Sequence, residues 1–277
     1  MRTSFIQHSL PPATRKPMAR RLGGGSLVVH QETGERIVDL KERAKRVILP
    51  AILKQIRPQW PQKAFLKRLL KALQVDCVFD VGANRGQYGM ELRGLGYTGT
   101  IISFEPDEDV FRELATVSAG DRRWTVINLA LGSERGTERL NVMESREFNS
   151  FRKPVEDETD AFKNWNKVVG TKEVLVETLS DIMPALREEH RFTRPFLKMD
   201  TQGFDLEVFR GATSVLPEFI AMQSELSVVK IYEDVPPWQV ALAEYQSAGF
   251  RLAGFFAVNP SSNLLFEMDC YLRRVPA

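Results

Sequence analysis

The chain has 277 residues, 43% of them hydrophobic, a net charge of +2 and two cysteines. That is enough apolar material for a domain of about 200 residues plus an extension, and no run approaches the roughly 20 apolar residues that a membrane-spanning helix needs. Two cysteines, one inside an apolar strand-like run, argue against a disulfide framework and for a reducing cytoplasm.

The small net charge hides an asymmetry, because residues 1–74 carry 16 Lys/Arg against 4 Asp/Glu and the remainder carries 22 against 32. Residues 1–34 combine an acid-free start with Pro11-Pro12 and Gly23-Gly24-Gly25, which reads as a disordered basic arm. In residues 35–74, apolar positions recur at helical spacing, as in Phe65, Leu66, Leu69, Leu70 and Leu73, and predict amphipathic helices with basic outer faces. Three roles stay open for them: a cap on the following domain, a dock for an anionic membrane surface, or a nucleic-acid contact.

The domain itself spans residues 75–277. It begins with CVFDVGANRGQYG, Cys77 to Gly89, an apolar strand ending at Asp80, a turn with Gly82, Asn84 and Gly86, and then a helix. A dinucleotide fingerprint would have glycine where Asn84 stands, so pyrophosphate is disfavoured. Asp80 would repel a phosphate but accept from an ammonium, which suits S-adenosylmethionine. The next strand, Thr100 to Phe104, ends at Glu105, where a ribose diol finds its acceptor.

A helix follows Pro106, with Asp107, Glu108 and Asp109 in its first turn. Strands are predicted at 124–129 and 137–142. Residues 144–170 then lack periodicity and form a candidate substrate cover carrying Phe148, Phe151, Phe162 and Trp165. Strands at 195–199 and 219–224, a helix over 237–248, and a hairpin of 250–258 with 264–272 around the turn at 259–263 complete the pattern. Alternating β and α units predict an α/β, Rossmann-like, mostly parallel sheet with a C-terminal antiparallel hairpin.

FDVGANRGQY at 79–88, FEP at 104–106, LKMDTQGFDLEVFRGA at 197–212 and, more loosely, NLALGSERG at 128–136 stand in an order that resembles the FkbM family of S-adenosylmethionine-dependent methyltransferases. The resemblance implies a seven-stranded sheet and O-methylation of a sugar, glycan or natural-product hydroxyl. It also implies that Asp80, Gly82, Ala83, Asn84 and Gly86 line the methionine end, that Glu105 holds the ribose, and that Asn128 and Ala130 lie near the adenine. Thr201, Gln202 and Asp205 depart from the family's usual residues around Gly203.

For the chemistry, Lys198 and Asp200 share one side of a strand expected to be buried on both faces, so they need partners. Either Asp200 orients or deprotonates the acceptor with Lys198 beside it, or Asp200 and Glu225 hold a divalent cation, or Lys198 and Asp200 form a structural ion pair. His8, His30 and His190 read as solvated. Two rival functions are RNA methylation through the basic N-terminus, disfavoured because no aromatic residues interleave with the basic run, and a non-catalytic donor-fold binding module.

Overall fold

The computed structural model describes residues 60–155, 167–258 and 264–275. The expectations for the arm at 1–34, for residues 35–59 of the helical extension, for Phe162 and Trp165 and for the turn at 259–263 fall outside them. Of the extension, Trp60–Ala72 is helix α1. It buries Leu66, Leu69 and Leu70, an i, i+3, i+4 stripe.

Strand β1 (Cys77–Val81) is buried along its whole length, as a central parallel strand covered on both faces must be. Its alternate side chains serve two cores. Val78 joins the α1 leucines, Ile101, Phe196 and Tyr271, whereas Phe79 and Val81 join Phe104, Leu197, Met199, Val208 and Phe209. Helix α2 (Gln87–Gly94) leads to β2 (Thr100–Phe104), α3 (Glu108–Ser118) and β3 (Trp124–Ile127). Asp107 caps α3 by accepting from the Asp109 N–H at 3.0 Å.

The chain then builds a small second sheet from β4 (Ala130–Leu131), β5 (Gly136–Met143) and β6 (Val168–Glu177), with β6 in the middle. Helix α4 (Leu179–His190), β7 (Pro195–Met199), α5 (Asp205–Gly211), β8 (Ala221–Ser227), α6 (Trp238–Ser247), β9 (Phe250–Ala257) and β10 (Glu267–Arg274) follow. The main sheet has seven strands in the order β3-β2-β1-β7-β8-β10-β9. β10 alone runs opposite to the other six strands, as the hairpin pattern predicts.

Three elements differ from the sequence expectation: the strand expected at 124–129 ends at Ile127, and Ala130–Leu131 forms β4 in the second sheet. β6 begins inside the expected long loop, and α4 follows it unforeseen. Most of β6 is exposed, so its sequence carries no core alternation, and Pro184 interrupts the helical pattern of α4. The cap Thr178, which accepts from the Asp181 N–H at 3.1 Å, was the available signal for α4.

Candidate active site

The turn after β1 curls back on β2. Gly82 and Ala83 donate to the Phe104 carbonyl at 3.1 and 3.0 Å, and Gly82, Asn84 and Gly86 all have left-handed φ angles of 74°, 48° and 86°. Asn84 suits such a position because its short amide bonds locally: its Oδ1 accepts from the Arg85 N–H at 2.7 Å. The Glu105 carboxylate accepts the N–H groups of Asn84 and Asp107, both at 2.9 Å. This ties the turn to the end of β2. Burial pushes the Glu105 carboxyl up to about 7, against the lowering effect of those two backbone donors.

Asp80 lies beneath the turn and not on its surface. It is fully buried, accepts from Ser103 Oγ at 3.0 Å and pairs with Lys198 Nζ at 3.0 Å. The register explains the pairing, since Asp80 sits opposite Lys198, Lys198 opposite Gln223 and Gln223 opposite Tyr271 on four adjacent strands. Lys198 also donates to the Gly82 carbonyl at 3.1 Å and stands 3.6 Å from Asp200. Burial works against its charge, but Asp80 and Asp200 outweigh that and hold its pKa above the usual lysine value. The nearer acid is therefore Asp80, and Lys198 is first an anchor for the glycine turn.

Two hollows meet at this turn. A narrow cleft of about 60 Å³ is lined by Phe104, Glu105, Leu129, Ala130, Leu131 and Phe151 among others, and a cavity of about 460 Å³ opens on the α1 side. Gly82, Asn84, Asp200 and Gln202 line both. The cleft offers apolar walls for a base and a carboxylate for a diol, beside a turn where the absence of a Cβ at Gly82 lets the Asp200 backbone approach closely. These features fit an adenosyl methyl donor. Asn128 spends its amide on the Glu105 and Pro106 carbonyls at 2.8 and 3.1 Å, while Leu129 and Leu131 form the lining that sequence reasoning missed.

The cleft is narrow because the segment 145–151 lies across it. Asp107, fully buried, accepts from Arg146 at 2.5 Å, from Asn149 at 3.0 Å and from Lys172 of β6, and Ser150 Oγ donates to the Gln202 carbonyl at 2.6 Å. Burial raises the Asp107 carboxyl, but bonds from Lys172, the Asp109 N–H and Arg146 hold it below the ordinary aspartate value. Replacing Asp107 with Ala removes the cap of α3 and takes the shared carboxylate from Arg146 of the cover and Lys172 of β6. We expect a loss of about 2–3 kcal/mol in urea unfolding and about tenfold faster donor release in stopped-flow measurements.

The divalent-cation expectation is corrected by the donor set. The Gln202 amide donates to Asp200 at 3.2 Å and to Glu225 at 3.0 Å, bridging the two acids that would have shared the ion. Among the described residues no group of three or more His, Cys, Asp or Glu is arranged to hold a metal.

Strand order, glycine turn and acidic β2 terminus together define a Rossmann-like S-adenosylmethionine-dependent methyltransferase domain. The methyltransferase FkbM domain family matches residues 80–252, more than half of the chain, and the chain belongs to that family. No curated protein matches it. Among solved structures it is similar to an rRNA methylase from Streptococcus thermophilus, at 11% identity and a TM-score of 0.41 over 79% of this chain and 98% of that one. It is also similar to magnesium protoporphyrin IX methyltransferase from Synechocystis PCC 6803 with bound S-adenosylmethionine, at 9% identity and 0.41 over 91% and 87%.

Proposed function

We propose that the protein methylates a hydroxyl oxygen of a small polyhydroxylated acceptor, a sugar, glycan or natural product, in the cytoplasm. The observation that carries this reading is the position of Asp200 at the junction of the two cavities, its side chain 39% exposed. S-adenosylmethionine, when bound, supplies a methyl group on a positively charged sulfur. Asp200 receives the acceptor's hydroxyl proton as the oxygen attacks, and Gln202 and Lys198 hold its carboxylate in place. The many acids of the larger cavity repel a phosphate backbone, which disfavours RNA.

The test is a screen of hydroxylated compounds with labelled donor, followed by Asp200→Asn on the best acceptor. We expect kcat to fall about 100-fold or more with donor affinity unchanged. An unchanged kcat removes Asp200 from the chemistry.

Glu105 gives the donor site a pH signature. The folded protein holds the Glu105 proton up to about pH 7, whereas the ordinary carboxyl lets go near 4.5. Its contribution to stability therefore falls as pH rises through that window, while affinity for a ribose diol, which needs the carboxylate as acceptor, rises. Titration calorimetry with S-adenosylhomocysteine from pH 6 to 8.5 should show tightening that levels off above about pH 8, and Glu105→Gln should be weaker and flat.

A further inference from the structure

The larger cavity holds more than a generic acceptor site, on the reading that it receives the acceptor. Its walls carry six carboxylates, Glu91, Glu147, Asp200, Glu225, Glu267 and Asp269, against two ammonium groups. Both cations are already committed, Lys63 to Glu91 and Lys198 to Asp80. The site exists because a methyl group needs somewhere to go; its charge then says what fits there.

Three of the acids sit together at the far end. Asp269 of β10 is directly across from Glu225 of β8, and Glu267 lies two residues along the same strand, on the same side as Asp269. Their hydrogen-bond partners are neutral: Gln202 for Glu225, Gln62 and Gln223 for Asp269, and Ser227 for Glu267. Among the described residues no lysine or arginine pairs with any of the three. Amides and hydroxyls orient these carboxylates without neutralising them. Burial, reinforced by repulsion from Asp200 and, for Glu225 and Glu267, from their neighbours in the trio, accordingly pushes the Glu267 carboxyl to about 7, Asp269 to about 6 and Glu225 well above its usual value.

We propose that the acceptor carries a protonated amine, seated among Glu225, Glu267 and Asp269, next to the hydroxyl that Asp200 serves. An amino sugar or aminocyclitol has this pairing of ammonium and hydroxyl within one ring, and a cavity of about 460 Å³ accommodates molecules of that size. With an uncharged polyol the crowded acids keep protons, whereas an ammonium lets them ionise against it, and an anionic acceptor would add to the repulsion. Gln62, Glu267, Asp269 and Tyr271 of this wall lie outside residues 80–252, so most of the amine seat, Glu225 excepted, comes from α1 and β10 and not from the stretch that defines the family.

The experiment uses the full chain at pH 7. Calorimetry with S-adenosylhomocysteine comes first; if it does not bind, the donor reading fails and the acceptor inference falls with it. With that ligand bound, the glucosamine disaccharide and 2-deoxystreptamine are each titrated against their N-acetylated forms. We expect each free amine to bind about tenfold or more tightly than its acetylated partner. Glu267→Gln and Asp269→Asn should shrink that ratio to about twofold, with melting temperature and S-adenosylhomocysteine affinity retained. Absence of an amine preference in both pairs, whether both forms bind or neither does, overturns the proposal, as does a preference that survives in the double variant.

Discussion

Lys198→Ala is expected to destabilise the protein by about 3–5 kcal/mol, because it leaves Asp80 charged, fully buried and without its cation. Against a typical total stability of about 5–15 kcal/mol, that loss lowers the melting temperature by roughly 10 °C. The remaining partner of Asp80, Ser103 Oγ, already receives the Trp124 indole N–H at 3.0 Å, and one hydroxyl cannot replace an ammonium. Asp80→Asn with Lys198→Met removes both charges and should recover more than half of the loss; a double variant as unstable as the single one would show that the pair is not what Lys198 supplies. The same substitution frees the Gly82 carbonyl, so the donor KM should rise more than the acceptor KM.

The contrast between what the sequence discloses and what it conceals follows from where each signal resides. Strands β1, β2 and β7 are legible because they are buried on both faces and bounded by glycine or proline, which leaves short apolar runs that fit nothing else. Glu105 is legible because its position depends only on the end of such a run. Strand β6 is not, since its stability comes from pairing with β5 and not from a buried face. Asp80 is visible as an acid at a strand end, but its partner is set by strand order, 118 positions along the chain in a neighbouring strand, so a ligand contact and a buried ion pair read alike. The far wall of the larger cavity is harder still, because Gln62 and Asp269 meet across 207 residues. A period-two clue was present in Glu267, Asp269 and Tyr271, three polar side chains on one side of a strand that otherwise reads as core.

Gly82→Ala should abolish donor binding while leaving much of the distant fold intact. A Cβ at this position would stand 2.0 Å from the Asp200 carbonyl oxygen and 2.9 Å from its carbon, both backbone atoms, at a φ of 74° that alanine adopts only under strain. The glycine turn and the Asp200 turn must then part by about 1 Å, and both line the two cavities. Strain and crowding together cost about 3–5 kcal/mol, and a displacement of that size at the reacting centre lowers kcat/KM by about 100-fold or more. Two controls separate the contributions. Gly96→Ala shares the positive φ, 85°, but meets nothing within 4 Å, so it reports strain alone; Gly94→Ala, inside α2 and equally open, should be neutral or up to about 1 kcal/mol stabilising. If Gly82→Ala matches Gly96→Ala in urea unfolding and still binds S-adenosylhomocysteine, close packing of these two turns is not what shapes the site. If it loses binding far beyond the strain control, the missing side chain at position 82 is what lets the donor turn and the Asp200 turn close around one ligand.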